Sequence, residues 1–343
     1  METSFFMLGA EQALGQNDPL IKLNKMIDWK KIESHLVGIH CNDNNAHCGP
    51  KGYENIKMFK AMLLGQWYNL SDRELERSLR VRIDFMLFTG LELGDEFPDS
   101  STICRFRNKL IEKGLDNKLF NKINEQLEES GLLIKKANGA VIDASIIESA
   151  ARPKRTIEWK EIPEDREEDQ TEEKIDYEVK ESADQDAKWL KKGKRCYFGY
   201  KCFASTESKN GFIQEVHVTP ANKSEVTELE KILSTFDPKE VYADKAYASK
   251  GNRDYLRNRG IKDRILYKAV RNKPLTKRQK QFNRIASKTR FIVEQGFGTL
   301  KRKFRFYRAS YFGMRKVLGQ FRFKAICFNL LKAANFVQLC NSG

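Results

Sequence analysis

The hydrophobic period of the chain changes at Gly139, and this change limits the possible folds more than any other feature of the sequence. Before Gly139, apolar residues recur every three or four positions, which is the period of an amphipathic helix. After it comes an apolar run at 140–147 that contains one carboxylate, Asp143. Such a run predicts a strand buried inside a sheet. The chain is therefore expected to have an all-helical first domain, residues 1–130, and a sheet-containing second domain, residues 131–343.

In the first domain, the spacing predicts one helix at 18–36 and further helices between 53 and 130. Ser71 and Glu74 have the spacing of a capping box at a helix start. The helix predicted at 102–110 turns its apolar residues inward and leaves three cations outward: Arg105, Arg107 and Lys109. Short capped helices with a basic outer face are typical of DNA-binding modules, and this domain is also a candidate for dimerisation. A helical bundle with a merely basic surface fits the same pattern.

The second domain continues with alternating strand and helix patterns. Asn210-Gly211 is a hairpin signal between two strand-like runs. The predicted order is strand, strand, strand, helix, strand, helix, strand, helix, and it favours a mixed α/β sheet with helices on its faces. The ribonuclease H-like fold has the same order of elements. The predicted strands are 140–147, 197–206, 212–218, 240–243 and 265–270, and the predicted helices are 225–236, 251–259 and 321–337, with the helix at 290–301 preceded by a basic segment at 271–288.

The charge of the chain is high and unevenly distributed. The net charge is +15, which favours a polyanionic partner. Residues 158–186 contain 14 acidic and four basic residues, a local charge of −10 that leaves +25 on the rest of the chain. This stretch has too little apolar content to offset the cost of ordering. We therefore interpret residues 154–190 as an acidic, largely flexible insertion in the second domain.

Three carboxylates have distinctive placements. An unpaired carboxylate within an apolar strand, such as Asp143, is costly and is usually paired or bound to a metal. Asp244 follows the strand at 240–243, at the carboxyl edge where α/β sheets place ligand sites. Glu294 lies on the helix at 290–301. If these elements meet at one edge, the three acids converge, and such oxygen ligands suit two Mg²⁺ ions about 3.5–4 Å apart.

The helix at 290–301 has one narrow polar stripe. At about 100° per residue, Arg290, Glu294 and Lys301 lie within about 60° of one another. Its apolar residues are expected to face the core: Phe291, Ile292, Val293, Phe297 and Leu300. A buried helix with an ordinary Arg–Glu pair gives the same stripe. At the edge of a sheet, the two cations would instead position phosphates beside the carboxylates.

Three segments together resemble a known family. They are Val-Ile-Asp-Ala-Ser at 141–145, Val-Tyr-Ala-Asp-Lys-Ala-Tyr at 241–247, and the Arg-x3-Glu-x6-Lys spacing at 290–301. They look like the catalytic blocks of bacterial insertion-sequence transposases of the DDE type, specifically the group conventionally numbered five. The resemblance covers about residues 50–335. One position departs from the family signature, which begins with tyrosine where this chain has Ser287.

The resemblance implies a ribonuclease H-like catalytic domain that nicks the ends of a transposable element and joins the freed 3′-hydroxyl to target DNA. It implies that Asp143, Asp244 and Glu294 hold two Mg²⁺ ions, for which Mn²⁺ can substitute. The implied partners are terminal inverted repeats and target DNA, bound by a homodimer. The candidate DNA-binding residues are Arg290, Lys301, Arg302, Lys245, Arg105 and Arg107. Two alternatives remain, a nuclease that cuts without joining and a DNA-binding regulator.

The cysteines favour a reducing compartment. Seven cysteines are scattered over a long chain, an odd number that suits free thiols better than a disulfide framework. His40-Cys41 and His47-Cys48 do not have the spacing of a standard zinc site. No apolar run reaches the roughly 18 residues of a membrane span. The expected location is the bacterial cytoplasm, in association with the nucleoid.

Overall fold

The computed structural model describes residues 5–39, 52–133, 139–151, 153, 156–159, 177–180, 182–272 and 274–341. The predicted loop containing His40-Cys41 and His47-Cys48 lies outside these ranges. The first part of the chain is helical, as predicted. Its described helices are α1 (Phe5–Leu14), α2 (Pro19–Met26), α3 (Trp29–Glu33), α4 (Asn55–Tyr68), α5 (Asp72–Val81), α6 (Ile83–Thr89), α7 (Ser100–Glu112) and α8 (Leu115–Glu129).

Local side-chain caps set several helix boundaries. The predicted capping box is confirmed at α5, where the Ser71 hydroxyl accepts from the Glu74 N–H and the Glu74 carboxylate accepts from the Ser71 N–H. The single helix predicted at 18–36 is wrong. Asp28 caps a new helix by accepting from the Lys31 N–H, so the chain turns between α2 and α3. Capping of this kind competes with helix continuation.

Helix α7 differs from its predicted amphipathic pattern at one residue. Arg105 is exposed, but the outward placement of Arg107 is wrong, because this side chain is buried. The Arg107 guanidinium donates two hydrogen bonds to Asp72, at 2.6 and 2.7 Å, and lies 4.4 Å from the centre of the Tyr311 ring. Helix α7 is covered on a second side by α5 and by the chain around residue 311, so this arginine joins the helices.

The second part of the chain forms a six-stranded mixed sheet with the predicted architecture. Its central order is β6-β5-β1-β7-β8, and β4 pairs with the other part of β5. β1, β5 and β6 are antiparallel, whereas β7 and β8 add in parallel beyond β1. A separate pair, β2 and β3, lies in the acidic stretch and was not predicted. The strands are β1 (Ala140–Glu148), β2 (Thr156–Trp159), β3 (Tyr177–Lys180), β4 (Lys188–Lys192), β5 (Arg195–Glu207), β6 (Ile213–Pro220), β7 (Glu240–Ala243) and β8 (Lys262–Ile265).

The helices of this part are α9 (Leu229–Ile232), α10 (Lys250–Asn258), α11 (Lys277–Arg302) and α12 (Met314–Asn341). The helix predicted at 225–236 is shorter, because a 3-10 turn precedes α9. The last strand, β8, ends at Ile265, the residue where the predicted strand 265–270 begins. Much of the basic segment is helical rather than a linker, since Thr276 and Gln279 form a capping box that starts α11 early. Gly211 closes the predicted β5–β6 hairpin with a φ of 73°, a conformation that favours glycine.

Hydrophobic residues cover both faces of the sheet. On one face, strand residues such as Val141 and Val216 join a core that includes α11, α12 and the helices of the first part. On the other face, Ile142 and Val241 pack with α9 and α10. Cys202 and Cys327 are both buried free thiols. Among the described residues, no helix combines the length and apolarity needed to cross a membrane.

A buried asparagine pair connects the helical part to the sheet. Asn329 of α12 accepts a hydrogen bond from the Ile213 N–H and donates to the Ile213 carbonyl, both at 2.8 Å. Its Nδ2 also lies 2.8 Å from Oδ1 of Asn124 on α8, and Asn124 donates to the same carbonyl. Both side chains are fully buried. The backbone at the start of β6 is thus paired by two helices that are distant in sequence.

We expect Asn329→Ala to destabilise the protein, because it leaves the Ile213 N–H without its partner in a dry site. An unsatisfied buried group costs about 1–3 kcal/mol. Denaturant unfolding followed by circular dichroism measures the change. The matched control is Asn335→Ala, which removes an exposed asparagine from the same helix. Equal stability of the two variants would contradict the role assigned to the pair.

Candidate active site

Two neighbouring parallel strands place the first two carboxylates side by side. β1 and β7 are paired in a register that sets Ile142 opposite Ala243, so the next residue of each strand is Asp143 or Asp244. Asp244 directly follows β7 and is the N-cap of a 3-10 turn, where its Oδ1 accepts a hydrogen bond from the Lys245 N–H at 2.7 Å. Both acids therefore lie at the carboxyl edge of β7, as the sequence predicted.

Helix α11 crosses this edge and brings one cation among three acids. Arg290 Nη2 lies 3.7 Å from Oδ1 of Asp143 and 3.7 Å from Oε1 of Glu294, and its Nη1 lies 3.5 Å from Oδ1 of Asp244. At these separations the contacts are ion pairs rather than direct hydrogen bonds. Because Asp143 Oδ1 and Glu294 Oε1 are each 3.7 Å from the same nitrogen, the distance between these two oxygens is at most twice 3.7 Å. The structure thus brings the three predicted acids around one guanidinium.

The three carboxylates differ in their exposure to water. The Glu294 side chain is 54% exposed, whereas the Arg290 side chain is 10% exposed. Burial raises the pKa of Asp143 to about 6, and the positive charge of Arg290 acts in the opposite direction. The negative charges of Glu225 and Asp244 raise this pKa further. When Arg290 is the only cation at this site, Asp143 therefore favours its protonated form in mildly acidic solution.

Two residues beside the site, Glu225 and Tyr247, were not predicted from the sequence as site residues. Glu225 starts the 3-10 turn after β6, and its charge acts on both Asp143 and Tyr247. The Tyr247 hydroxyl is fully buried and has no hydrogen-bond partner among the described residues. Burial and the nearby acids raise its pKa well above the ordinary value. Glu225 directly follows a strand, but no periodicity distinguishes it from other helix-start acids.

Asn252 joins the two turns that carry these acids. Its Nδ2 donates to the Val226 carbonyl at 3.0 Å and to the Tyr247 carbonyl at 2.8 Å. Glu225 is also held from the sheet side by Lys201, whose Nζ lies 3.5 Å from Glu225 Oε1. These contacts fix the distance between the turn after β6 and the turn after β7.

The predicted cations have different environments. Lys245, Arg302 and Arg105 are exposed. Lys301 is half-buried, and burial together with the positive charge of Lys192 lowers its pKa. Val293, Phe297 and Leu300 of α11 are in the core as predicted, but the prediction for Phe291 is wrong, because its side chain is 57% exposed. Fewer of the apolar residues of α11 therefore face the core than the sequence predicted.

The carboxylate oxygens of the three acids are chemically suitable ligands for a hard divalent cation, although in this arrangement they surround Arg290. Within the described ranges, no group of three or more His, Cys, Asp or Glu side chains is close enough to hold a metal ion. Asp143, Asp244 and Glu294 nevertheless supply the oxygen ligands that Mg²⁺ prefers, and Glu294 is open to water. The guanidinium neutralises the acids through loose ion pairs, so it does not lock them apart.

Two family models and a relative match this chain. A family model described as "Transposase domain (DUF772)" matches residues 9–109, and one described as "Transposase DDE domain" matches residues 136–330. The transposase for insertion sequence element IS1106 of Neisseria meningitidis serogroup B is 44% identical over 234 residues, which cover 67% of this chain and 77% of that protein. A cryo-EM structure of the piggyBac transposase synaptic complex with hairpin DNA aligns over 95% of this chain and 76% of its own, with 12% identity and a TM-score of 0.45.

We expect Arg290→Ala to destabilise the metal-free protein at neutral pH, because three carboxylates then repel one another without a shared cation. The loss should stay below the about 3–5 kcal/mol of a fully buried pair, because Glu294 is solvated. Denaturant unfolding in a chelator measures it. Arg302→Ala, which removes an exposed cation of the same helix, is the control and should change stability by less than about 0.5 kcal/mol. A similar effect of both substitutions would contradict the central role of Arg290.

The raised pKa of Asp143 predicts a pH dependence of stability. Between about pH 4 and about pH 6, the folded protein holds a proton on Asp143 that the unfolded chain releases. The contribution of this group to stability therefore falls as the pH rises through that window. The free energy of unfolding, measured in a chelator, should fall for the wild type relative to Asp143→Asn. If the difference instead rises with pH, the ion pair with Arg290 outweighs burial.

Proposed function

This chain belongs to the DDE transposase family, and on that premise we propose that it nicks the ends of an insertion sequence and joins the freed 3′-hydroxyl to target DNA. The observation that carries this proposal is the convergence of Asp143, Asp244 and Glu294 on one guanidinium at the carboxyl edge of the sheet. The Arg-x3-Glu-x6-Lys spacing at 290–301 supports a finer assignment to the group of insertion-sequence transposases numbered five.

The three carboxylates are proposed to hold two divalent ions, Mg²⁺ with Mn²⁺ as a substitute. When bound, such ions supply Lewis-acid chemistry at the attacking and leaving oxygens of a phosphoryl transfer. The backbone N–H of Lys245 orients Asp244 by donating to its Oδ1, so one oxygen of that carboxylate stays directed by the turn. Asp143 is fixed by its position within β1, while the exposed Glu294 is the most adjustable of the three.

The cations around the acids are proposed to bind DNA phosphates. Arg290 is close enough to the carboxylates to neutralise charge on a transferring phosphate, and Lys301 lies about 16 Å beyond Arg290 along α11 at about 1.5 Å per residue. Lys245, which directly follows Asp244, and Arg302, at the end of α11, are both exposed. In the joining step, the 3′-oxygen of the element forms a bond to a target phosphorus, and the bond to the neighbouring target 3′-oxygen breaks.

An insertion sequence has two ends, and each needs an active site, so we propose a homodimer as the form that acts on paired terminal repeats. The helical part, residues 1–130, is proposed to contribute DNA binding and dimerisation, with exposed Arg105 as a candidate contact. Arg107 is occupied by Asp72 and is assigned to stability instead. A DNA substrate also implies a place beside the bacterial nucleoid.

Strand transfer in solution tests this function. Purified protein is incubated with Mg²⁺, a plasmid target and DNA fragments that end at the borders of the element encoding this chain, with their 3′-hydroxyls free. The wild type should give joined product. Glu294→Gln should lower the joining rate by at least 100-fold, since it removes one carboxylate charge from the metal ligand set. The matched control, Glu230→Gln, removes an exposed acid of α9 and should retain activity.

A second measurement separates metal binding from catalysis. A ligand that binds only the folded state stabilises it by RT ln(1 + [L]/Kd), so the gain increases with the ligand concentration and with the affinity. Titration with Mn²⁺ should therefore raise the melting temperature of the wild type and of Glu230→Gln more than that of Glu294→Gln.

In the strand-transfer assay, cleavage without joining by the wild type would favour the nuclease alternative. Full joining activity in Glu294→Gln would overturn the proposed active site.

A further inference from the structure

The hairpin formed by β4 and the start of β5 extends beyond the body of the sheet. β4 pairs only with residues 195–199 of β5. The pairing of β5 with β1 begins at Gly199, and its pairing with β6 begins at Tyr200. In the described part of the chain, residues 188–198 therefore form a two-stranded ribbon without a third strand. We call this hairpin the basic ribbon.

The basic ribbon carries a dense positive charge. Its sequence, KWLKKGKRCYF, contains no acidic residue. All five of its cations are exposed, and none forms an ion pair with another described residue: Lys188, Lys191, Lys192, Lys194 and Arg195. Lys192 and Arg195 are directly opposite in the strand register, where like charges destabilise a sheet. A polyanion would relieve this repulsion.

The basic ribbon lies near the charged end of helix α11. The charge of Lys192 acts on Lys301, which places the two ammonium groups within electrostatic reach of each other. Lys301 is two helical turns from Glu294, about 10 Å along the axis. Helix α11 also packs against β5, the strand that continues into the ribbon. Cations thus extend from the carboxylates through Lys301 to the tip of the ribbon.

We propose that the basic ribbon is a DNA-binding arm that holds the duplex beside the active site through phosphate contacts, chiefly from Lys192 and Arg195. This inference rests on the proposed function only for the identity of the polyanion. Phosphate contacts bind DNA without reading its sequence, and they release counterions. A two-stranded ribbon is also narrow enough to enter a major groove about 12 Å wide. The exposed Trp189 lies on the ribbon and reports contact with DNA.

The dependence of DNA affinity on salt tests the arm. The variant Lys192→Gln with Arg195→Gln is compared with Lys239→Gln combined with Lys262→Gln. The control pair has the same charge change and lies at the opposite end of β7 and β8 from Asp244. Affinity of the full chain for a duplex is measured by fluorescence anisotropy in a chelator, between about 50 and 200 mM salt. The slope of log affinity against log salt is negative, and each lost phosphate contact lowers its magnitude by about 0.9.

The magnitude of the slope should be smaller by about 2 in the arm variant than in the wild type, while the control pair keeps at least about nine-tenths of the wild-type slope. The quenching of tryptophan fluorescence by DNA should also decrease in Trp189→Phe. Equal slopes in the two charge variants would overturn the arm. The assay contains no metal, so its outcome is separate from catalysis. If the wild type joins DNA ends but the slopes of the two charge variants are equal, the proposed arm is wrong and the proposed function stands. If only the arm variant has a slope of smaller magnitude and the wild type joins no DNA, the arm stands and the proposed function is wrong.

Discussion

Three carboxylates can share one small site only if positive charge lies between them, and in this protein Arg290 provides that charge. Its guanidinium is within 3.7 Å of an oxygen of each acid, although the acids come from two strands and one helix. In a medium of reduced dielectric, unneutralised repulsion between such groups would oppose the packing of α11 on the sheet. The same cation therefore stabilises the fold and keeps the three acids together at one edge of the sheet.

The position of α11 decides whether this interaction forms. Val293, Phe297 and Leu300 fix the helix against the sheet. A slip of one residue would rotate the helix by about 100° and would remove Arg290 and Glu294 from the edge together. The early start of the helix at its capping box and its long basic first half extend this element beyond the core. One helix thus supplies one of the three acids, the central cation and further candidates for phosphate binding.

The rest of the chain supports this edge through connections between distant segments. Asn329 and Asn124 pair the start of β6 with two helices, and Asn252 joins the turns after β6 and β7. Arg107 connects α7 to α5 and to the Tyr311 ring. These polar contacts are directional, so they specify how the layers meet in addition to stabilising them. The site is consequently tied to helices of the first part, which share a core with the sheet.

The sequence by itself determined the class of fold, and it predicted that three acids meet at one edge of the sheet. The change of period at Gly139, the Asn210-Gly211 turn and the capping box at Ser71 depend on nearby residues, and each was confirmed. Only the tertiary structure decided that Arg107 is buried, that Arg290 lies among all three acids and that Glu225 is beside them. The structure alone also decided that β4 extends β5 into a ribbon. Helix and turn signals act over a few residues, whereas burial and charge pairing depend on which distant segments pack together, and periodicity carries no information about that.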